Sequence, residues 1–238
     1  MDLESKIEQY LKMRRRMKPS IEIRTCALLV IDMQEYQVRE DGSIARLLEN
    51  AVPGMLQYFI ERVKKTVVPN IAQLLDFFRS HDLPVYFAKL ASMRSDGKDY
   101  SKNYRDFNKL AESLIGEPIF PDMQSPSASI IPELAPKNNE VVFIKTTSGS
   151  FASTDLDHQL RNLGVQTVVA VGVVTNFCVE TTARAASDLG FQVFVIDDAC
   201  AAWTPSLHEA SLKVLELRYA KVLKTDEILK QLKKKLSK

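Results

Sequence analysis

The stretch TVVAVGVVTNFCVETTARAASDLG, residues 167–190, predicts a buried strand that passes directly into a helix. Its first part is apolar almost throughout, rather than alternating, which is typical of a strand buried on both faces of a sheet. Its second part has a helical pattern and ends at Gly190, a common helix stop. The strand runs out at Thr175 and the helix is predicted to begin around Phe177, so Cys178 lies on the first helical turn.

Cys178 is therefore a candidate nucleophile. The free backbone N–H groups and the dipole at a helix start favour negative charge. We expect such a site to lower the pKa of the thiol, and the thiolate is the nucleophilic form of cysteine. The alternative is a small core residue, because cysteine is among the most buried residue types. The strand-to-helix context alone leaves both interpretations open.

The same alternation of strand and helix extends along the chain. Further apolar runs of strand length occur at 26–32, 83–89, 140–145, 191–197 and, more weakly, 220–225. Amphipathic segments separate them, and this order is typical of a parallel sheet covered by helices. We predict an α/β fold with three α/β/α layers, in which a mostly parallel six-stranded sheet carries helices on both faces. The length suits a single domain over residues 1–238.

Three segments decorate this predicted domain. Residues 2–16 are predicted to form an amphipathic helix, and the inserted segment 40–68 is predicted to hold a second helical excursion. The inserted segment 90–139 is rich in serine, proline and charge, and we predict a long loop region with one short helix around 107–115. Loops of such length in a compact domain are usually functional or mobile. Either insertion is a candidate for a lid over a site or for a subunit interface.

Composition limits the classes of partner. A net charge of +2 gives no argument for nucleic acid or a membrane surface as a partner. No stretch approaches the length of a membrane span, and the charged beginning of the chain does not resemble a secretory signal. The three cysteines are odd in number and widely spaced, which favours a reducing compartment without disulfides. We expect a cytoplasmic protein that binds a small molecule.

Three reactive side chains follow strands of the predicted sheet. Asp32 ends the first strand, Lys145 ends the third, and Cys178 follows the fourth. Ligands of open parallel sheets bind beyond the carboxyl ends of the strands, so these groups are expected to meet there. Each has an ordinary alternative, since an aspartate after a strand is often a turn former and a strand-end lysine is often exposed.

Three motifs resemble the isochorismatase-like cysteine hydrolases: ALLVIDMQ at 27–34, KTTSGSF at 145–151, and GVVTNFCVETTARAA at 172–186. The resemblance extends over residues 26 to about 225. That family includes nicotinamidases, N-carbamoylsarcosine amidases, ureidoacrylate hydrolases and biuret hydrolases. It implies that Asp32, Lys145 and Cys178 are the catalytic residues and that the chain forms a homodimer or homotetramer.

The resemblance also implies a non-proline cis peptide bond between Val173 and Val174. The backbone N–H groups of Val174 and Cys178 are then expected to form an oxyanion hole. The reaction implied is hydrolysis of a carbon–nitrogen bond in a small amide, carbamoyl or ureido compound, through a thioester on the cysteine. Asp32 is expected to be the general base. Two alternatives stay open: vinyl-ether hydrolysis, as in isochorismatase itself, and a non-catalytic scaffold.

Neither a metal nor another cofactor is expected. The three histidines are His81, His158 and His208, and residues 82–157, where nicotinamidase-like members carry metal ligands, contain none. Zinc prefers nitrogen or sulfur ligands, so we predict no metal and disfavour nicotinamide as the substrate. Two of these histidines, His81 and His158, lie in helical patterns and are interpreted as structural or exposed.

The pocket walls are predicted from neighbours of the catalytic candidates. The expected substrate-binding residues are Gln34, Tyr36, Ser150, Phe151, Asn176 and Phe177. Trp203, just past the fifth strand, is more readily interpreted as a core residue than as a wall, because large aromatics mostly serve packing. Candidates for a lid from this subunit or a neighbour are Tyr100, Asn103 and Tyr104.

Overall fold

The computed structural model describes residues 2–16 and 21–236, and its central element is one six-stranded sheet. All neighbouring strands are parallel, in the order β3-β2-β1-β4-β5-β6. The strands are β1 (Cys26–Ile31), β2 (Val85–Leu90), β3 (Val141–Lys145), β4 (Thr167–Val173), β5 (Gln192–Ala201) and β6 (Lys221–Leu223). The predicted six-stranded α/β sheet is confirmed, and it is wholly rather than mostly parallel.

Helices cover both faces of the sheet. They are α1 (Leu3–Arg16), α2 (Glu35–Val38), α3 (Ser43–Ala51), α4 (Gln57–Arg62), α5 (Val68–Ser80), α6 (Lys102–Ile115), α7 (Leu156–Asn162), α8 (Glu180–Asp188), α9 (Pro205–Arg218) and α10 (Thr225–Leu236). The helices α3, α4, α5 and α10 contribute to the core on one face. The helices α7, α8 and α9 contribute to the core on the other face, which gives the predicted three layers.

The two central strands explain the continuous apolar runs of the sequence. Every residue of β1 and β4 is buried, with side chains alternating between the two cores. The strand order reverses between these strands, because the chain leaves β1 towards β2 and β3 and then returns to β4 on the other side. Such a reversal is the place where open α/β sheets bind ligands.

Gly172 allows the backbones of β1 and β4 to approach each other near their carboxyl ends. Residues with a side chain rarely adopt its backbone φ of +113°. A Cβ at this position would lie 2.1 Å from the Ile31 carbonyl oxygen. The regular pairing of β4 with β5 also shifts between Ala170 and Gly172. Only glycine satisfies this approach, which fixes the position of the turn that follows β4.

Some predicted boundaries need correction. The single helix of the 90–139 segment is α6, which begins five residues before the expected 107 and ends at Ile115. Strand β5 continues to Ala201, four residues beyond the predicted end at residue 197. In the 40–68 segment, α4 continues through one π-helical turn, Val63–Val67, into α5 without a break. The predicted excursion and the next helix are therefore one long helical stretch.

The N-terminal helix α1 packs on α9 through charged groups more than through an apolar face. Leu11 is buried, but Leu3 is 71% exposed. Arg15 donates two hydrogen bonds, of 2.6 and 2.7 Å, to the carboxylate of Glu216 on α9. Arg14 donates to the carbonyl oxygens at the end of the same helix. The amphipathic pattern of residues 2–16 therefore predicted the helix correctly but not the nature of its contact.

Candidate active site

Asp32 follows the last residue of β1 and is fully buried. Its φ is +54°, in the left-handed region, which aspartate adopts more readily than most residues. Its N–H donates a hydrogen bond of 3.0 Å to the carbonyl of Ala88, so the backbone stays tied to β2 while the chain turns. This turn aims the carboxyl group along the edge where the strands end.

Lys145 is the last residue of β3, and its side chain is also fully buried. Its Nζ lies 2.8 Å from Oδ2 of Asp32. The same ammonium donates hydrogen bonds to the carbonyl oxygens of Thr147, at 3.1 Å, and Ser148, at 3.0 Å. These three acceptors match the three N–H donors of an ammonium, so the lysine is held as a cation in one position.

Cys178 lies in the helical turn Thr175–Val179, a single π-helical turn that leads into α8. Its thiol is within interaction range of both the Asp32 carboxyl and the Lys145 ammonium. The predicted helix starts two residues earlier than expected, at Thr175, but still carries the cysteine near its beginning. The structure thus brings the three sequence candidates together around one point.

The backbone before Cys178 has the predicted form. The peptide bond between Val173 and Val174 is cis. The N–H groups of Phe177 and Val179 close the turn by donating to the Val174 carbonyl, at 3.0 and 3.3 Å. The N–H of Val174 donates none of the turn and cap hydrogen bonds of the described residues, whereas the N–H of Cys178 lies within the helical turn itself. An oxyanion hole formed by these two groups stays a prediction.

The charge states of the three groups follow from their burial. Burial is the main cause that raises the pKa of Asp32, and the Lys145 ammonium opposes it only in part. Burial acts to lower the pKa of Lys145, but the neighbouring Asp32 and Cys178 together outweigh it and the pKa is raised. The carboxyl group is therefore a stronger base than an ordinary aspartate, and the lysine stays protonated.

The expected low pKa of the nucleophile is wrong for this structure. Burial raises the pKa of Cys178 to about 12, and the neighbouring Asp32 raises it too, while Lys145 acts in the opposite direction. Because the sulfur is only 3% exposed, the cost of burying a thiolate exceeds the help from the helix start. The group at neutral pH is a thiol, and its activation needs a base that takes the proton.

His208 supports the turn that carries the nucleophile. Its ring is buried, with Nδ1 2.9 Å from the Thr175 hydroxyl and Nε2 2.9 Å from Oδ1 of Asp197. The guanidinium of Arg62 lies 3.0 Å from the same Nε2. Nothing in the sequence indicated a role for His208 at the site. In the structure, its ring contacts Thr175, the first residue of the turn that carries Cys178.

A cavity of about 190 Å³ opens above Cys178. Helix α3 contributes Ile44, Leu47 and Leu48 to its wall, and α6 contributes Asn103, Tyr104 and Phe107. Gln37 of α2 and two residues after α6, Ile119 and Phe120, also line the cavity. The remaining wall residues lie at strand ends or in the segments that follow them: Leu90, Ser148, Val174, Phe177 and Trp203. The two inserted segments therefore form much of the wall of the cavity. A larger open groove of about 600 Å³ elsewhere touches none of the three candidates.

Most of the predicted wall residues do not line this cavity. Phe177 does, and it packs edge-to-face on Trp203, with ring centroids 5.4 Å apart. Trp203 therefore lines the cavity as well as packing against the core, which corrects the preference for a purely core residue. Of the three lid candidates, Asn103 and Tyr104 line the cavity, whereas Tyr100 is buried beside it.

The other five wall candidates do not line the cavity, and four of them have structural contacts instead. Gln34 exchanges hydrogen bonds with the backbone of Leu90, and the Tyr36 hydroxyl donates to the same carbonyl. The Ser150 hydroxyl accepts a hydrogen bond from Thr182, and Phe151 stacks on Phe191. Asn176 precedes the nucleophile and is not among the residues that line the cavity, and its Oδ1 is buried without a hydrogen-bond partner. The prediction of these five as wall residues is corrected, because proximity in sequence did not determine the direction of the side chain.

The residues that sequence reasoning missed have one readable signal. Ile44, Leu47 and Leu48 follow the helical spacing i, i+3, i+4, as do Tyr104 and Phe107 at i and i+3. The pattern predicts an apolar face on each helix. It does not tell which part of that face packs on the core and which part borders a cavity.

Within the described ranges, no group of three or more histidine, cysteine, aspartate or glutamate side chains is arranged to hold a metal ion. None of the described helices is long and apolar enough to cross a membrane.

Comparisons with known proteins agree with the fold and with the family resemblance of the sequence. The isochorismatase domain model matches residues 26–227. The isochorismatase family protein YwoC of Bacillus subtilis is 33% identical over 214 residues, which covers 90% of this chain and 97% of that protein. Nicotinamidase 3 of Arabidopsis thaliana is 28% identical over 201 residues, which covers 84% of this chain and 96% of that protein.

Solved structures show the same fold. The crystal structure of a cysteine hydrolase from Pseudomonas syringae pv. phaseolicola superposes with a TM-score of 0.74 at 24% identity, covering 92% of this chain and 97% of the other. At that identity the likeness supports the fold. Together with the family model over most of the chain, these relatives show that the protein belongs to the isochorismatase family of hydrolases.

Proposed function

We propose that this hydrolase cleaves a carbon–nitrogen bond of a small amide, carbamoyl or ureido compound through a thioester on Cys178. The observation that carries the proposal is the contact of this thiol, at the floor of the cavity, with the buried Asp32–Lys145 pair. The similarity to a nicotinamidase, whose name describes an amide-cleaving enzyme, supports the same reaction class.

In the first half-reaction, Asp32 takes the thiol proton and the sulfur attacks the carbonyl carbon. Its raised pKa makes Asp32 suited to this task, because a carboxylate of ordinary basicity is a poor base for a thiol. Lys145 lies against both groups and stabilises the negative charge as it passes from the carboxylate to the sulfur.

In this mechanism, the tetrahedral oxygen accepts hydrogen bonds from the backbone N–H groups of Val174 and Cys178. One donor of this kind is typically worth about 3–4 kcal/mol of transition-state stabilisation. Asp32 then delivers its proton to the departing nitrogen, which leaves as ammonia or an amine and leaves the acyl group on sulfur. In the second half-reaction, Asp32 takes a proton from water, the hydroxide attacks the thioester, and the thiol and a carboxylic acid are released.

Ammonia release and acylation of the protein test this proposal. Wild-type protein is incubated with a panel of amides, carbamoyl amino acids, ureido acids and biuret, and ammonia is measured. Cys178→Ser, Asp32→Asn and Lys145→Met are each expected to reduce turnover by at least about 10³-fold, by analogy with the loss of other nucleophile and base residues. Intact mass of quenched wild-type samples is expected to show the acyl adduct. Turnover that persists in Cys178→Ser rules out the mechanism.

Alkylation by iodoacetamide supplies an internal control. Burial raises the pKa of Cys26 and Cys200 to about 12, the same as that of Cys178. Only the last of these cysteines lines the cavity and touches a carboxylate base. We expect Cys178 to be labelled first and to lose that advantage in Asp32→Asn. Equal, slow labelling of all three thiols contradicts activation by the pair.

The vinyl-ether alternative makes a different prediction. Hydrolysis of that bond does not require a thiol nucleophile, so Cys178→Ala would keep full turnover. The retained pair of Asp32 and Lys145 beside the cysteine favours the thioester route. The non-catalytic alternative predicts no turnover of any panel member and no acyl adduct.

Three further predictions accompany this function. We expect residues 1–238 to act as one domain, the chain to form a homodimer or homotetramer, and the enzyme to work in the cytoplasm. Light scattering coupled to size exclusion measures the subunit number.

A further inference from the structure

We propose that the substrate is a small uncharged amide with an apolar acyl group, and that Gln37 hydrogen-bonds to it. This inference rests on the proposed function, because it takes the cavity above Cys178 as the place where the acyl group binds. It narrows the reaction class, since the carbamoyl amino acids and ureido acids of the wider family carry a carboxylate.

The first argument is the chemistry of the wall. The wall combines aliphatic side chains of α3, such as Leu47, with aromatic side chains from α6 and from the region after β5, such as Trp203. A group that fills this space gains about 25 cal/mol for each Å² of apolar surface removed from water. Aromatic walls also favour flat rings, which pack on them face to edge.

The second argument is the missing counter-charge. None of the described residues that line the cavity carries a formal charge. The nearby Lys145 is already matched by Asp32 and by two carbonyl oxygens, and it does not line the cavity. A carboxylate placed in this space would lose its hydration without gaining a charged partner. That loss costs on the order of several kcal/mol, even after the protein relaxes around the charge. The cavity therefore selects against acids.

The third argument is an unpaired polar group. Gln37 is only 5% exposed, lines the cavity, and its Oε1 is buried without a hydrogen-bond partner. Buried polar atoms are normally paired, and each exception calls for a reason. A neutral amide or hydroxyl of a bound molecule would satisfy this side chain. Gln37 thus supplies one unpaired, directional contact in a cavity whose wall is mostly apolar.

The size of the cavity limits the acyl group. Its volume of about 190 Å³ is below the roughly 300–1,000 Å³ that is usual for drug-sized ligands. A single ring or a branched chain of comparable size therefore suits the space, whereas a dinucleotide or a peptide does not.

Binding is measured first, apart from turnover. Trp203 is the sole tryptophan of the chain and lines the cavity, so its fluorescence reports occupancy directly. The Cys178→Ser variant is titrated with benzamide and with 4-carboxybenzamide, which differ by one charge. We expect benzamide to bind at least about tenfold more tightly, because the second ligand buries an unpaired carboxylate. Equal binding, tighter binding of the acid, or no binding of either overturns the proposal.

Two variants in the Cys178→Ser background test the residues named. Gln37→Met keeps the side-chain length but removes the hydrogen-bonding group, and we expect benzamide to bind about tenfold more weakly. Asn103→Arg adds a cation at an exposed position of the wall, and it is expected to narrow the preference for benzamide over the acid; Asn103→Gln is its matched control. An unchanged affinity in Gln37→Met refutes the contact, and an unchanged preference in Asn103→Arg refutes the charge argument.

Turnover by the wild-type protein then separates the two proposals. Faster ammonia release from N-carbamoylglycine than from benzamide, judged by kcat/KM, contradicts the substrate class and leaves cleavage of carbon–nitrogen bonds intact. Selective binding of benzamide with no ammonia release from any amide contradicts the proposed function and leaves the ligand preference of the cavity intact.

Discussion

Replacing Lys145 by methionine removes the ammonium that faces Asp32 but keeps a side chain of similar length. Both groups of the pair are fully buried, with 2.8 Å between Nζ and Oδ2. The variant leaves a carboxylate in the interior without its cation. The reverse change, Asp32→Asn, leaves the ammonium without its anion.

The expected loss of stability is large for either single change. Removing one partner of a buried ion pair typically lowers the free energy of unfolding by about 3–5 kcal/mol, because the other charge stays buried and unpaired. The double variant, Asp32→Asn with Lys145→Met, removes both charges. Since replacing a whole buried pair is often nearly neutral, we expect the double variant to be more stable than either single one.

The two single variants also differ in their dependence on pH. In Lys145→Met, the pKa of Asp32 rises further above the ordinary value of 3.8, since the ammonium no longer opposes the effect of burial. Between the ordinary pKa of Asp32 and this raised pKa, the folded state binds more protons than the unfolded state. The free energy of unfolding therefore falls as pH rises through this interval, by at most about 1.4 kcal/mol per pH unit.

In Asp32→Asn the sign is opposite. Without the carboxylate, burial lowers the pKa of Lys145 below the ordinary value of 10.5. The unfolded state then binds more protons in the range between the lowered value and 10.5, so the free energy of unfolding rises with pH there.

Urea unfolding followed by circular dichroism, at several pH values between about 5 and 9, measures both effects for the wild type, the two single variants and the double variant. The reasoning is refuted if both single variants lose less than about 1 kcal/mol, the usual worth of an exposed pair. It is equally refuted if the two pH slopes have the same sign.

Gly172→Ala is expected to lower the free energy of unfolding by about 1–3 kcal/mol more than Gly190→Ala. Both glycines have positive φ, but only at Gly172 does a Cβ meet a neighbouring strand, so equal losses in urea unfolding would contradict the close approach. His208→Ala leaves the partners of a buried ring unpaired, and we expect a loss of about 1–3 kcal/mol together with a lower kcat at similar KM, because Thr175 starts the nucleophile turn. A steady-state assay that shows an unchanged kcat would limit His208 to stability. Arg15→Ala is expected to cost less than about 1 kcal/mol, since that side chain is 51% exposed, and a larger loss in thermal unfolding would show that α1 is more tightly held than its ion pair indicates.

The sheet and the meeting of the three catalytic candidates could be predicted from sequence because both depend on burial and strand direction. Asp32, Lys145 and Cys178 follow three strands that are parallel, and parallel strands end at one edge. The family resemblance added the cis bond between Val173 and Val174, which no periodicity indicates.

The cavity and the charge states could not be predicted in the same way. The pKa of Cys178 depends on how much water reaches the sulfur, and the sequence shows the helix start but not the depth of burial. Gln37 lies one residue beyond a predicted wall residue, Tyr36, and the helical geometry of α2 sends the two side chains in different directions. Which of these two side chains borders the cavity follows from tertiary packing rather than from the local sequence pattern.

The wall of the cavity and the bond-breaking groups are built on different parts of the chain. Asp32 and Lys145 are tied to strands, whereas α3 and α6 meet above the nucleophile from outside the sheet. A combinatorial library randomised on the inner faces of these two helices would therefore sample new acceptance profiles while the reactive apparatus stays constant. This chain is thus a practical starting point for directed evolution towards chosen amides. Selection would then act on substrate binding in the cavity rather than on the catalytic residues.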